Sequence, residues 1–271
     1  MARQRLGQHF LRPDWRDEIA RAIRLPPYGT EHRKESHFCW VEIGAGHGEM
    51  TEYLAGGGSE VYAVEVDPPL VARLRALRAK FPRLTVLPGD VLKIDLATIA
   101  ADRRLKIYGN LPYYITSPIL HHLFHSASLI DEIHIVIQLE VALRLVARPG
   151  TRDYGYLSVL TQYFSRSHIA LELPPGAFEP PPEVGSALVS LRLPGESAKL
   201  ALPDSAPFLA FVKLCFAQKR KTLSNNLRGK VPPHGAKQAL AELKLATSAR
   251  AEELSVAELA KLFRALELSR T

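Results

Sequence analysis

From Phe38 onward, short apolar runs alternate with amphipathic stretches. Phe38–Ile43 has the apolar density of a buried strand. Residues 44–48 form a glycine-rich loop, and 49–55 begin a helix. Residues 60–65 predict a second strand and 67–80 an amphipathic helix, with Leu70, Leu74 and Leu77 on one face. Leu84–Pro88 and 105–108 predict a third and fourth strand, 118–124 a helix, 133–138 a fifth strand and 139–147 another helix. Strands that alternate with helices in this way predict an α/β fold, a mostly parallel sheet covered by helices on both faces.

The flanks read differently. Trp15, Ile19, Ala20 and Ile23 recur at helical spacing, and Pro26 and Pro27 end that helix. After a loop at 148–155, residues 156–164 predict a helix, and 168–173 and 186–193 two further strands. The intervening 174–184 is packed with prolines and cannot be a central strand. Composition then shifts to Pro, Gly, Ser and Ala over 194–207, as in a linker. Everything beyond is helical in pattern. Ser255 and Glu258 have capping-box spacing ahead of apolar Leu259, Leu262, Phe263 and Leu266. The expected organisation is a large α/β domain at 1–195 and a small helical domain at 196–271.

The totals fit that division: 271 residues with 46% hydrophobic content suffice for one large and one small domain. The net charge of +7 favours a polyanionic partner such as nucleic acid or an anionic membrane face. Cys39 and Cys215 have no zinc-ligand spacing and read as buried thiols of a reducing compartment. His121 and His125 have metal-compatible spacing, but no carboxylate motif accompanies them, so no metal is expected. The basic N-terminus lacks an apolar run, and no stretch approaches the roughly 20 apolar residues of a membrane span. The expectation is a cytoplasmic monomer without membrane contact.

The chemistry gathers at the strand ends. Gly44, Ala45, Gly46, His47 and Gly48 follow a strand and open a helix, where glycines permit a tight turn and close ligand approach. By itself such a loop also suits a purely structural turn or an NAD site. Glu65 ends the second strand, where a carboxylate accepts from ribose hydroxyls. Asp90 follows the third, where it can accept from an adenine amine.

Asn110-Leu111-Pro112-Tyr113 follows the fourth strand and decides between these readings. An exocyclic amine of adenine is a poor nucleophile because its lone pair is delocalised into the ring. Acceptors that hold both of its N–H bonds draw the nitrogen toward tetrahedral geometry. The side-chain oxygen of Asn110 and the carbonyl of Leu111 suit that role, and Pro112 restrains Leu111. Tyr113 can stack on a base taken out of its helix. A methyl carried on a sulfonium needs no nucleophilic residue, so positioning supplies most of the rate.

These segments resemble the ribosomal RNA adenine dimethyltransferase family, in particular its bacterial small-subunit branch. The resemblance rests on five ordered motifs: Gly7-Gln8-His9-Phe10-Leu11, Glu42-Ile43-Gly44-Ala45-Gly46, Asn110 to Ile115, Phe178 to Val184, and Phe216 to Leu223. It implies a Rossmann-like class I methyltransferase sheet with an all-helical C-terminal domain. It implies S-adenosyl-L-methionine as methyl donor, held by His9, Leu11, Gly44, Gly46, Glu65, Asp90 and Asn110. It further implies that Phe178 stacks on the base opposite Tyr113. The family dimethylates two adjacent adenosines near the 3′ end of 16S rRNA in an immature small ribosomal subunit. Tyr114, where the bacterial branch usually has Asn, and Glu183, where it often has Lys, depart from the pattern.

Lys219, Arg220 and Lys221, with Arg228 and Lys230, form a basic block that reads as contact with RNA phosphates. Tyr154 and Tyr156 fit RNA contact and packing equally well. Three rival functions share the pattern: a large-subunit (23S) adenine methyltransferase of the antibiotic-resistance type, a non-catalytic assembly or transcription factor, and a DNA adenine methyltransferase. The intact motifs at 44–48 and 110–113 argue against loss of catalysis. The 218–223 block favours the small subunit over the large, and Leu111 departs from the DNA enzymes' usual proline.

Overall fold

The hydrophobic runs become strands of one sheet in a computed structural model that describes residues 9–25, 37–112, 115–200, 202–229, 231 and 235–268. In chain order the strands are β1 (Phe10–Leu11), β2 (Phe38–Ile43), β3 (Val61–Glu65), β4 (Leu84–Pro88), β5 (Arg104–Asn110), β6 (Ile130–Gln138), β7 (Arg166–Leu173), β8 (Phe178–Glu179) and β9 (Ser186–Arg192). Seven of them form a sheet in the order β4-β3-β2-β5-β6-β9-β7, while β1 and β8 pair separately. Pairings from β4 through β6 are parallel, and β9 joins β6 antiparallel. The chain runs outward from β2 to β4, then returns to the other side of β2 as β5. That reversal opens a crevice at the carboxyl ends of β2 and β5, the usual ligand position in open α/β sheets.

Around the sheet lie α1 (Pro13–Ala22), α2 (Glu49–Gly56), α3 (Pro68–Leu77), α4 (Leu96–Ala100) and α5 (Thr116–His125). α1 begins with proline in its first turn, where no backbone donor is lost, and carries Asp14 near its positive end. It ends at Ala22, ahead of Pro26 and Pro27, which lie outside the described residues. Ile19, Leu54, Val61, Ala63, Leu74 and Leu84 are all at most 1% exposed, so α1, α2 and α3 seal the sheet with their apolar faces. β5 and β6 are longer than the apolar pattern alone predicts, because polar Arg104, Asn110, Asp131 and Glu132 also occupy sheet positions. The pattern also missed α4, a turn capped by Asp95, whose side chain accepts from Ala97 N.

Two compact units emerge. One comprises the described residues up to Ala142 together with His168–Leu193, and the other comprises Leu143–Ser167 with the described residues from Pro194. The boundary expected at 195/196 lies two residues from the second crossover at 193/194. The segment Leu143–Ser167, read as part of the α/β domain, instead groups with the C-terminal residues. α6 (Leu139–Val146) bridges the first crossover, and α7 (Tyr156–Phe164) belongs to the second unit. There it meets α8 (Ser197–Leu200), α9 (Ser205–Cys215), α10 (Leu223–Asn226), α11 (Gly235–Glu242) and α12 (Val256–Leu268). Aromatic rings knit this second core: Tyr163 and Phe208 have centroids 5.2 Å apart, and Phe208 and Phe263 5.8 Å. Tyr154 is fully buried and donates to Leu254 O at 2.9 Å, so it packs rather than facing RNA. The capping box before α12 forms reciprocally, Ser255 N donating to Glu258 Oε2 at 2.8 Å and Glu258 N to Ser255 Oγ at 3.3 Å.

Candidate active site

The glycine loop turns through left-handed backbone, with φ of 67° at Gly44, 57° at Gly46 and 87° at Gly48, a region L side chains rarely adopt. Gly46 N donates to Glu65 Oε2 at 2.8 Å, which ties the loop to the end of β3. Glu65 Oε1 accepts from Val66 N at 2.8 Å and Asp67 N at 3.0 Å. The carboxylate is thereby aimed, and Oε2 keeps lone-pair capacity for a ligand hydroxyl. Asp90 Oδ1 accepts from Leu92 N at 3.0 Å, leaving the second oxygen for a ligand amine. Gly89 N donates to Glu65 O at 2.8 Å and fixes the two strand ends together. Beside these carboxylates Val66 is 53% exposed and Leu92 36%, an apolar pair suited to the faces of a flat ring. Gly44, Gly46, Glu65, Val66, Asp90 and Leu92 line one cavity of about 400 Å³ at the carboxyl end of the sheet.

An N-terminal strap closes one side of the cavity. Phe10 pairs with Glu179 and Leu11 with Phe178 in the β1–β8 ribbon. The His9 ring donates from Nδ1 to Pro180 O at 2.7 Å, which defines its tautomer. The Phe10 ring lies on His47 with centroids 4.2 Å apart. A Cβ added to Gly46 would sit 3.2 Å from Phe10 Cε1, so the loop glycine makes room for the strap. Arg16 Nε donates to Leu11 O at 2.6 Å, and its Nη2 donates to Glu49 Oε1 at 3.1 Å. His9 and Leu11, known from sequence only by resemblance, thus reach the same cavity as Gly44, Glu65 and Asp90.

Asn110 ends β5 at the cavity wall, and its Nδ2 donates to His9 O at 2.9 Å. Only the amide nitrogen can donate to a carbonyl, so this bond leaves Oδ1 as the free acceptor. Leu111 follows, with its side chain 2% exposed and its N–H donating to Val136 O at 3.0 Å. Among the described residues no group donates to the Leu111 carbonyl. Pro112 O accepts from Ile115 N at 3.2 Å. Tyr113 and the departure Tyr114 lie outside the described residues. Phe178, expected to stack on the base, is 3% exposed and lies in the core cluster that holds Leu11, Leu173 and Leu188, outside the cavity lining. The β1–β8 pairing turns it inward.

Glu42 and Tyr108 also line the cavity, and the sequence assigned neither a role. Glu42 is 2% exposed on β2 and accepts a hydrogen bond from Thr51 Oγ1. Burial pushes its pKa up to about 8, a rise that Thr51 opposes and the nearby carboxylates of Glu49 and Glu65 reinforce. Tyr108 stands opposite it on β5. A carboxylate inside an otherwise apolar strand, and a tyrosine two positions before Asn110, were the available signals. Among the described residues no group of three His, Cys, Asp or Glu could hold a metal ion, and no helix is long and apolar enough to cross a membrane.

In the second unit Lys219, Arg220, Lys221 and Arg228 are all exposed. Asn226 shapes the turn that presents them, its Nδ2 donating to Cys215 O at 2.7 Å and Gln218 O at 3.1 Å, while its Oδ1 accepts from Gln218 N at 3.2 Å. Lys219 Nζ donates to Arg152 O, and Arg228 Nη2 to Asn225 Oδ1 at 2.8 Å. Lys230 lies outside the described residues.

A parallel sheet that reverses beside a glycine loop, with carboxylates on the next two strands and Asn-Leu-Pro on the fourth, is the arrangement of a class I methyltransferase. Residues 1–268 match the family described as ribosomal RNA adenine dimethylase, and the chain belongs to that family. It is an S-adenosylmethionine-dependent methyltransferase. The ribosomal RNA small subunit methyltransferase A of Acidobacterium capsulatum is 45% identical over 229 residues, covering 84% of this chain and 81% of that one. A dimethyladenosine transferase from Plasmodium falciparum shares the fold with a TM-score of 0.73 at 24% identity, over 94% of this chain and 96% of that one. The 23S rRNA methyltransferase ErmE superposes with a TM-score of 0.67 at 26% identity, over 95% of this chain and 99% of that one.

Proposed function

We infer that the protein transfers methyl groups from S-adenosylmethionine to the exocyclic amines of two adjacent adenosines near the 3′ end of 16S rRNA, giving dimethyladenosines during small-subunit assembly in the cytoplasm. The observation that carries this reading is the orientation of Asn110, whose amide nitrogen is engaged by His9 O at 2.9 Å so that its oxygen is left for the target amine. The cavity fits the donor: Glu65 and Asp90 keep acceptor capacity for ribose and adenine, and Val66 and Leu92 flank them with apolar surface.

S-adenosylmethionine, when bound, supplies a methyl group on a positively charged sulfur. Asn110 Oδ1 and Leu111 O accept the two N–H bonds of the adenine amine and direct its lone pair toward that carbon. The proline at 112 stiffens the Leu111 carbonyl. Tyr113 is assigned to one face of the extruded base. Lys219, Arg220, Lys221 and Arg228 hold RNA phosphates, contacts that position the substrate without reading its sequence. The chain acts as a monomer, and the same chemistry serves both methylations because the mono-methylated amine retains one N–H for an acceptor.

The test is methyl transfer from labelled S-adenosylmethionine to small and large subunits from a host lacking the modification, with nuclease digestion and mass spectrometry. Dimethyladenosine confined to the small subunit is expected. Label in the large subunit would move the substrate to 23S rRNA, as in the structurally similar ErmE. Cofactor binding without transfer to either would favour a non-catalytic assembly role.

A further inference from the structure

The wall of the cavity below Asn110 holds a hydroxyl without a partner. Tyr108 is 1% exposed and lines the cavity, and its Oη makes no hydrogen bond among the described residues. It faces Glu42 across the β2–β5 pairing and precedes Asn110 by two positions on β5. Alternation along a strand therefore sends Tyr108 and Asn110 to the same side of the sheet.

Two nearby carboxyl groups have partners elsewhere. Thr51 donates to Glu42 Oε2, and Arg16 Nη2 donates to Glu49 Oε1 at 3.1 Å. Burial, with Glu42 and Glu49 nearby, pushes the Tyr108 pKa up, so the hydroxyl stays a donor. Phenylalanine would fill the same space without stranding a polar group, and an unpartnered buried hydroxyl is unfavourable. The other parts of the cavity have their assignments: a nucleoside at Glu65, Asp90, Val66 and Leu92, and the reacting centre at Asn110 and Leu111. The part of the donor left for the region beneath Asn110 is its amino-acid end, which carries a carboxylate.

We propose that Tyr108 Oη donates a hydrogen bond to the carboxylate at the amino-acid end of the methyl donor, and so selects ligands that retain that end. The inference rests on the donor reading above and adds a binding residue to it. Tyr108→Phe in the full chain tests it by calorimetry with two ligands. S-adenosylhomocysteine keeps the amino-acid end, and 5′-methylthioadenosine keeps the nucleoside and sulfur without it. The variant should weaken S-adenosylhomocysteine about tenfold or more and leave 5′-methylthioadenosine within about twofold. Equal weakening of both, or no weakening of either, overturns the proposal. A variant that loses its folded thermal transition makes the hydroxyl structural and also overturns it. Failure of the unaltered protein to bind S-adenosylhomocysteine would remove the donor reading itself, and the proposal with it.

Discussion

Glu42 makes the stability of the N-terminal unit depend on pH in a direction opposite to that of most carboxylates. Its pKa stands at about 8 in the folded chain against 4.5 for an ordinary glutamate, chiefly because the group is buried. Below 4.5 the carboxyl is protonated in both folded and unfolded chains, and its contribution to stability is fully present. As pH rises toward 8 the unfolded chain loses this proton while the folded chain keeps it. Stability then falls by about 1.4 kcal/mol per pH unit and by ~5 kcal/mol across the interval. Glu42→Gln removes the titration, and its side-chain oxygen can still accept from Thr51. The two proteins should therefore be similarly stable near pH 4.5, with the variant ahead by several kcal/mol at pH 8. Both tryptophans of the chain, Trp15 and Trp40, lie in this unit, so urea unfolding followed by tryptophan fluorescence reports on it directly. Parallel stability curves between pH 5 and 8 would refute the reasoning, as would a variant less stable at pH 8.

Three further outcomes are expected. Asn110→Ala should lower turnover by ~100-fold or more while cofactor affinity stays within about tenfold, because the lost acceptor acts on the amine; single-turnover methylation of RNA near the native rate would sink the role. Gly48→Ala should destabilise the chain by about 2–4 kcal/mol, from left-handed strain and from a Cβ placed 2.5 Å from Leu77 Cδ1 and 3.1 Å from Leu74 Cδ2; chemical denaturation that matches the unaltered protein would show that the loop relaxes freely. Alanine at Lys219, Arg220 or Lys221 should weaken RNA binding and reduce the dependence of log affinity on log salt by about one per residue; filter binding with an unchanged salt slope would remove these side chains from the phosphate contacts.

The parallel strands, the glycine loop and the two carboxylates were legible because each leaves a local signal: an apolar run, a turn residue, an acidic residue at a strand end. Features made by distant pairing were not. Phe10 and Leu11 give no periodic pattern, and nothing near them in sequence says that they bond to Phe178 and Glu179. The same pairing explains why Phe178 turned out buried: a single aromatic beside prolines does not reveal which side faces a ligand. Tyr108 read as one more strand residue, and its importance depends on its neighbour across the sheet. The grouping of Leu143–Ser167 with the C-terminal helices was equally hidden, since its helix α7 has the amphipathic pattern that would suit either unit.

The contact that orients Asn110 shows why the strap matters to the chemistry. A primary amide can turn end for end at little internal expense, and the two orientations offer opposite groups to a ligand. With the oxygen forward, Asn110 offers the acceptor that the proposed mechanism assigns to the adenine amine; with the nitrogen forward, it would set a donor against that amine. Neither the sheet nor the Leu111 carbonyl distinguishes these states. His9 O does, since it can accept only from the amide nitrogen, and it lies 101 residues earlier in the chain. The carbonyl is placed by the β1–β8 ribbon and by the His9 ring on Pro180 O at 2.7 Å. On the proposed mechanism the acceptor for the base is therefore selected by a segment 101 residues earlier in the chain, and the strap serves the reacting centre as much as the strand that carries Asn110.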